Sequence, residues 1–247
     1  MQPTVAPFTK TVKALVIANV AIWVLGILIL QGIFLKNTVL FQTFGLVPDR
    51  FLFSFWIWQP FTYMFVHSAN VFHVLFNMLI LWWFGSELEM KWGSKFFLSY
   101  YMICGVGAAA IYIVCVFIYS FITGDPVPLM APVVGASGAA YGLLLAYGIL
   151  FGERVIYFMM MFPMKAKYFV LIIGIVELVT LLDSGFSSGV ANLAHLGGLV
   201  AGFLALKYWT DWRVKGLKKT ISDQKRKLRL VVDNERDQDK SGPKYWN

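Results

Sequence analysis

The sequence predicts an all-α membrane protein: six transmembrane helices with an interfacial outer loop between helices 1 and 2. Three observations predict it. Of 247 residues, 59% are hydrophobic and only 14% charged, with a mean hydropathy of +0.69; that is the composition of a bilayer-embedded chain. A spanning helix needs about 20 mainly apolar residues, and apolar stretches near that length occupy 12–34, 70–86, 96–121, 137–152, 167–183 and 190–209. The charges alternate in side. Nineteen of the 21 Lys/Arg fall in one set of loops and termini, and only Lys36 and Arg50 fall in the other. The positive-inside rule then places both termini in the cytoplasm. The net charge of +8 serves topology and contact with anionic lipid, and gives no reason to expect nucleic acid.

The first span is too long for a secretory signal and lacks a small-residue cleavage site, so it is retained. The outer loop, 35–66, is rich in aromatics: Phe51, Phe53, Phe55, Trp56, Trp58 and Phe61. Pro48, Asp49, Arg50 and Pro60 interrupt it, so it is expected to lie in the headgroup layer. His73 and Asn77 are four apart and share a helix face. Polar groups within lipid turn towards the bundle interior, so His67, His73 and Asn77 are candidates for function. In the next loop, Glu89 is placed to accept backbone hydrogen bonds from the turn, and Gly93 to end the helix. Cys104 and Cys115 lie on one helix about 16 Å apart, too far to bridge. Pro126, Pro128 and Pro132 keep the following outer loop from being helical throughout.

The fourth span starts at Ser137 and covers about 22 Å, against about 30 Å of hydrocarbon. Its start is therefore expected below the outer surface, in a water-filled cavity, because non-helical backbone at depth must line protein or water. His195, on the sixth span, lies about 7 Å below the same surface. Ala194, Gly198 and Gly202 recur every four residues, as do Gly138 and Gly142, and small-residue faces let helices approach closely. Close approach is what a short serine side chain needs to reach an imidazole. Ser137 is then a nucleophile and His195 its base. The Ser137 amide supplies one oxyanion donor, and Asn77 and His73 supply the others if the second span packs beside the fourth. Tyr141 stacks on His195, while Gly135 and Gly138 leave room for substrate backbone. No acid lies close to His195 in sequence; Glu177 and Asp183 are the only outer-side candidates for a third member, so a dyad is the simpler expectation, and Glu177 reads as a structural partner with a modest effect expected from its replacement. The segment from 207 carries 12 Lys/Arg against 6 Asp/Glu. Val214, Leu217, Ile221 and Leu228 suggest a short surface helix there, with roughly the last 15 residues disordered.

With these residues in view, the chain resembles the rhomboid intramembrane serine proteases. The matching residues are Trp58-Gln59-Pro60-Phe61-Thr62, His73 with Asn77, Glu89 with Gly93, Gly135-x-Ser137-Gly138 with Tyr141, and Ala194-His195 with Gly198 and Gly202. They follow the family's order across about 10–210. Gln59 stands where many members carry Arg, and five residues separate His67 from His73 instead of four. The resemblance implies a six-transmembrane-helix rhomboid bundle over 1–210, followed by a basic cytoplasmic tail, 211–247. It implies a Ser137–His195 dyad with no catalytic acid, oxyanion contacts from Asn77, His73 and the Ser137 amide, and lateral substrate entry at the outer part of the fifth span. The expected activity is hydrolysis of peptide bonds in or beside transmembrane segments of membrane proteins, with no metal and no cofactor, in the cell membrane. The partners are transmembrane substrates and the lipid bilayer, and no oligomeric state is implied. The alternatives are a catalytically inactive rhomboid-like protein that binds membrane clients, and a solute transporter. Retention of both Ser137 and His195 weighs against the first; polar residues gathered at one end of the bundle weigh against the second.

Overall fold

The computed structural model describes residues 7–158, 162–188 and 190–239. It is mostly helical, and among the described residues four helices are long and apolar enough to cross a membrane. The first comprises α1 (Lys10–Ala21) and a π-helical continuation, Ile22–Leu35. The others are α5 (Val71–Trp92), α6 (Ser94–Thr123) and the Ala166–Gly185 part of α9 (Ala166–Ser188). A shorter apolar helix, α8 (Ser137–Leu150), lies among them. The chain divides into two compact units, Met1–Ala205 and Leu206–Asn247. The last helix, α10, is Val190–Asp239, and its first turns belong to the first unit.

α8 is the centre of the first unit. It packs against α5, α6 and α9, and Ala139, Ala140, Leu143, Leu144, Ala146 and Tyr147 are all essentially inaccessible. α5 presents Val74, Asn77, Met78, Leu81 and Leu88 to the interior, a three-to-four spacing that gives one helix face. α6 offers Tyr100, Cys104, Ala108 and Tyr112. The small residues set the closest approaches. A Cβ on Gly198 would collide with the Gly138 carbonyl, and one on Gly202 would stand 3.0 Å from Gly142 Cα. Backbone therefore meets backbone between α8 and α10, as a stripe of small residues permits. Cys104 occupies the space that a side chain on Gly142 would need, and both cysteines are free.

The 35–66 segment is a run of short helices: α2 (Val39–Phe44), α3 (Pro48–Ser54), α4 (Gln59–Thr62) and a 3₁₀ turn, Tyr63–Phe65. Gln59 is fully buried. It accepts the Val47 amide at 3.0 Å and donates to the Gln42 carbonyl at 3.0 Å, stitching this segment together. Phe53, Phe55, Ile57 and Phe61 remain exposed. The segment also braces the chain that precedes α8. Leu46 and Val133 exchange both backbone hydrogen bonds, at 2.8 and 2.9 Å, and the Gly135 amide donates to the Tyr63 carbonyl at 3.0 Å. After a four-residue helix, α7 (Val127–Met130), this stretch is non-helical.

Two sequence expectations change in detail. Glu89 does not hold backbone amides of the α5–α6 turn. Its carboxylate accepts the Thr11 and Val12 amides at the start of α1, at 2.9 and 3.0 Å, together with the Thr9 hydroxyl and the Ser94 hydroxyl. Those amides belong to a first helical turn, which has no intrahelical acceptors, so a carboxylate there ties α1 to α5. Gly93 does end α5, at φ 79°. The tail is helical to Asp239, further than the expected disorder allowed, because no Gly or Pro interrupts 217–239 and its Lys, Arg, Gln and Leu residues are good helix formers; 240–247 lie outside the described residues. The cytoplasm-side loop of the sequence reading carries a small hairpin, β1 (Val155–Phe158) with β2 (Phe162–Lys165). Beside it, hydrogen bonds from Lys165 and Lys167 hold the Glu153 carboxyl down to about 2.

Replacing Gly198 with Ala drives a methyl into the Gly138 backbone. Overpacking of this kind costs about 1–3 kcal/mol, so a lowered Tm in detergent is expected. Gly174→Ala, where the nearest atom lies 3.4 Å away, should leave Tm nearly unchanged.

Candidate active site

Ser137 is the first residue of α8, so its amide N–H has no intrahelical acceptor. The residue before the turn into this helix that needs glycine is Gly135, at φ 125°; a Cβ there would also stand 2.7 Å from His73 Nε2 and 3.7 Å from Ser137 Oγ. The Ser137 hydroxyl lies 2.8 Å from Nε2 of His195. This contact joins α8 to α10 at the level where Gly138 meets Gly198. Ala194, beside His195, is 3% exposed and its carbonyl faces Gly138. The Tyr141 ring, one turn after Ser137, is stacked on the imidazole at 4.3 Å with an interplanar angle of 8°.

A cavity of about 400 Å³ opens onto this pair. His73, Asn77, Ser137, Tyr141 and His195 all line it. A larger cavity, about 600 Å³, lies between the π-helical segment and Leu40, Phe44 and Phe65; its lining is apolar apart from Thr62, and it holds no group with chemistry to offer. On α5, Asn77 Nδ2 donates to the His73 carbonyl at 2.8 Å. That uses one of its two amide hydrogens and leaves the other for the cavity. His73 Nδ1 lies 3.3 Å from the Ser68 amide, which can only donate, and 2.9 Å from the Ser68 hydroxyl. An Nδ1 that accepts leaves the ring hydrogen on Nε2, the nitrogen beside Gly135. Three donors therefore surround the space in front of Ser137 Oγ: its own amide, Asn77 and His73.

Sequence reasoning named Ser137, His195, Asn77, His73, Gly135 and Tyr141, and the structure brings all six together around one cavity. It missed Ser68, which orients His73, and Asn192, which donates to the Glu177 carboxylate at 2.6 Å. Glu177, read from the sequence as a structural partner and one of two outer-side acids, accepts the Tyr141 hydroxyl and stands 3.1 Å from His195 Nδ1. His67 stands behind the site instead of in it. Its Nε2 accepts the Ala136 amide at 3.4 Å, and its ring meets His73 edge-on at 5.2 Å.

Burial, with the neighbouring His73 ring, pushes His67 down to about 4 from 6.5. The unfolded chain therefore binds a proton here before the folded one does. The stability contributed by the neutral ring is complete above pH 6.5, falls as pH drops towards 4, and levels off below. Thermal unfolding followed from pH 7.5 to 4.5 should show Tm falling with acidity, and His67→Gln should flatten that dependence.

The rhomboid domain model matches residues 54–211, the stretch that holds every one of these residues. The chain is 34% identical to RHOMBOID-like protein 1 of Arabidopsis thaliana over 149 residues, 60% of this chain and 33% of that protein. It is 30% identical to Rhomboid protease GluP of Bacillus subtilis over 172 residues, 68% of this chain and 29% of that protein. It is also 30% identical to Rhomboid protease AarA of Providencia stuartii over 197 residues, 77% of this chain and 69% of that protein. The chain thus spans about a third of the first two relatives and most of the third. With the domain match and the apolar helices, this makes it an integral membrane protein that belongs to the rhomboid family.

Proposed function

We propose that this chain is an intramembrane serine endopeptidase. It hydrolyses peptide bonds in or beside transmembrane segments of membrane proteins, with Ser137 as nucleophile and His195 as base, and without metal or cofactor. The observation that carries this reading is the 2.8 Å contact from Ser137 Oγ to His195 Nε2 on the wall of a donor-lined cavity. A serine hydroxyl becomes a useful nucleophile only when a positioned base takes its proton.

Ser137 Oγ attacks the scissile carbonyl carbon while its proton passes to His195 Nε2. The oxyanion meets the Ser137 amide, His73 Nε2–H and the free Asn77 amide hydrogen. Collapse expels the amine, which takes the proton from His195 and leaves an acyl-Ser137 ester. Water then attacks that ester, giving its proton to His195, and the proton returns to Ser137 as the acid product leaves.

In this reading six helices span the cell membrane, α8 and the first turns of α10 completing the four longer ones, with both termini in the cytoplasm. The exposed Phe53, Phe55, Ile57 and Phe61 rest in the outer interface, where aromatic side chains are favoured. Substrates enter beside the outer part of α9, which is the least buried of the four longer spans and which breaks at Gly185 (φ 71°). Their cleavage segment carries small, helix-destabilising residues, because a hydrogen-bonded helix hides its carbonyls.

The test is cleavage of a single-span model substrate by purified protein in detergent. Ser137→Ala and His195→Ala should abolish cleavage and remain folded. Asn77→Ala should lower the rate about 10- to 1000-fold, as for other oxyanion donors. Cleavage undiminished in Ser137→Ala contradicts the proposal. No cleavage by the unmodified chain on several substrates favours the client-binding alternative.

A further inference from the structure

The back of the His195 ring is not empty. Glu177 Oε1, from α9, lies 3.1 Å from Nδ1 and accepts the Tyr141 hydroxyl. Oε2 accepts the Asn192 amide at 2.6 Å. The Nδ1 contact has the distance of an ion pair without the alignment of a finished hydrogen bond, and Nδ1 has no other hydrogen-bond partner among the described residues. Such contacts are often loose in an enzyme without substrate and tighten when substrate binds.

We infer that Glu177 is a positioning residue for the reaction, so that this chain works through a Ser137–His195–Glu177 relay in place of a bare dyad, with Asn192 and Tyr141 holding the carboxylate. The inference rests on the proposed roles of Ser137 and His195. To accept the serine proton, Nε2 must present its lone pair, so the ring hydrogen must sit on Nδ1. An acceptor at Nδ1 selects that tautomer. Glu177 is such an acceptor, since its other neighbours, a phenol and an amide, both donate to it. When the proton reaches Nε2, the imidazolium stands beside the carboxylate. The attraction is greater then than in the ground state, so it lowers the barrier instead of merely tightening binding. No proton moves to Glu177; it passes from Ser137 Oγ to His195 and on to the leaving amine. Tyr141 acts twice, stacking its ring on the imidazole and holding the carboxylate through its hydroxyl.

A purely structural Glu177, bracing α9 against α10, would behave differently. Glu177→Gln keeps the length and, with the Asn192 amide turned over, keeps the hydrogen bonds, so it removes little but charge. Glu177→Asp keeps the charge and shortens the reach. The relay predicts that Glu177→Gln lowers kcat about 100-fold or more, with KM within about twofold and Tm in detergent nearly unchanged, and that Glu177→Asp retains more kcat than Glu177→Gln. Adding Asn192→Ala to Glu177→Gln should cost less than Asn192→Ala alone, because the two act through one carboxylate. A kcat for Glu177→Gln within about threefold of the unmodified chain overturns the inference. So does a fall in kcat that follows Tm, with Glu177→Asp worse than Glu177→Gln. Ser137→Ala in the same assay separates the claims. Cleavage retained there overturns the nucleophile assignment and the relay with it. Cleavage lost there but kept in Glu177→Gln overturns the relay alone.

Discussion

The site depends on one packing constraint: the backbone of α8 touches the backbone of α10 at Gly138 and Gly198. A serine side chain reaches little more than two bonds from its helix, and an imidazole not much further. Helices at an ordinary separation of 8–10 Å, held apart by larger side chains, would leave these groups out of hydrogen-bond range. With a glycine on each side they stand 2.8 Å apart. Inside a membrane there is little hydrophobic driving force to bring helices together, so close van der Waals packing of small residues is what holds such a contact. The same stripe that packs the bundle therefore sets the distance between Ser137 and His195.

The second requirement is a backbone that can stop being helical within the protein. The chain before Ser137 leaves the helical hydrogen-bond pattern, and its polar groups need other partners. It finds them in the 35–66 segment: Leu46 pairs with Val133, and Tyr63 accepts from Gly135. His67 takes the Ala136 amide. Gln59 in turn holds that segment in shape. The aromatic loop is thus part of the support for the helix start that carries Ser137, besides being an apolar surface.

Much of this was legible in the sequence, for physical reasons. Long apolar runs specify α1, α5, α6 and α9 because few other structures hide a backbone from lipid. The prolines at 126, 128 and 132 marked the outer loop before α8 as not wholly helical, and Gly93 as a helix stop followed from its freedom at positive φ. Contacts between distant polar groups were less legible. Glu89 was read against its own turn, yet its amide partners, Thr11 and Val12, lie 78 and 77 residues away, and no periodicity signals such a pairing. Glu177 is more instructive. The chain turns back near Gly185, and Glu177 and His195 stand at similar distances on either side of it. Counting outward from that glycine would have set carboxylate and imidazole at matched depth. The signal was present, but it required treating α9 and α10 as a hairpin instead of as separate spans.

In the proposed function Ser137 is a nucleophile made reactive by His195. The most direct measurement of this is the site of covalent attack on the purified protein by a fluorophosphonate, read by mass spectrometry of its peptides, in the unmodified chain and in His195→Ala. One adduct is expected, on Ser137, formed readily in the unmodified chain and all but lost without His195. An adduct on another residue, or labelling of Ser137 at the same rate in both proteins, would contradict that role.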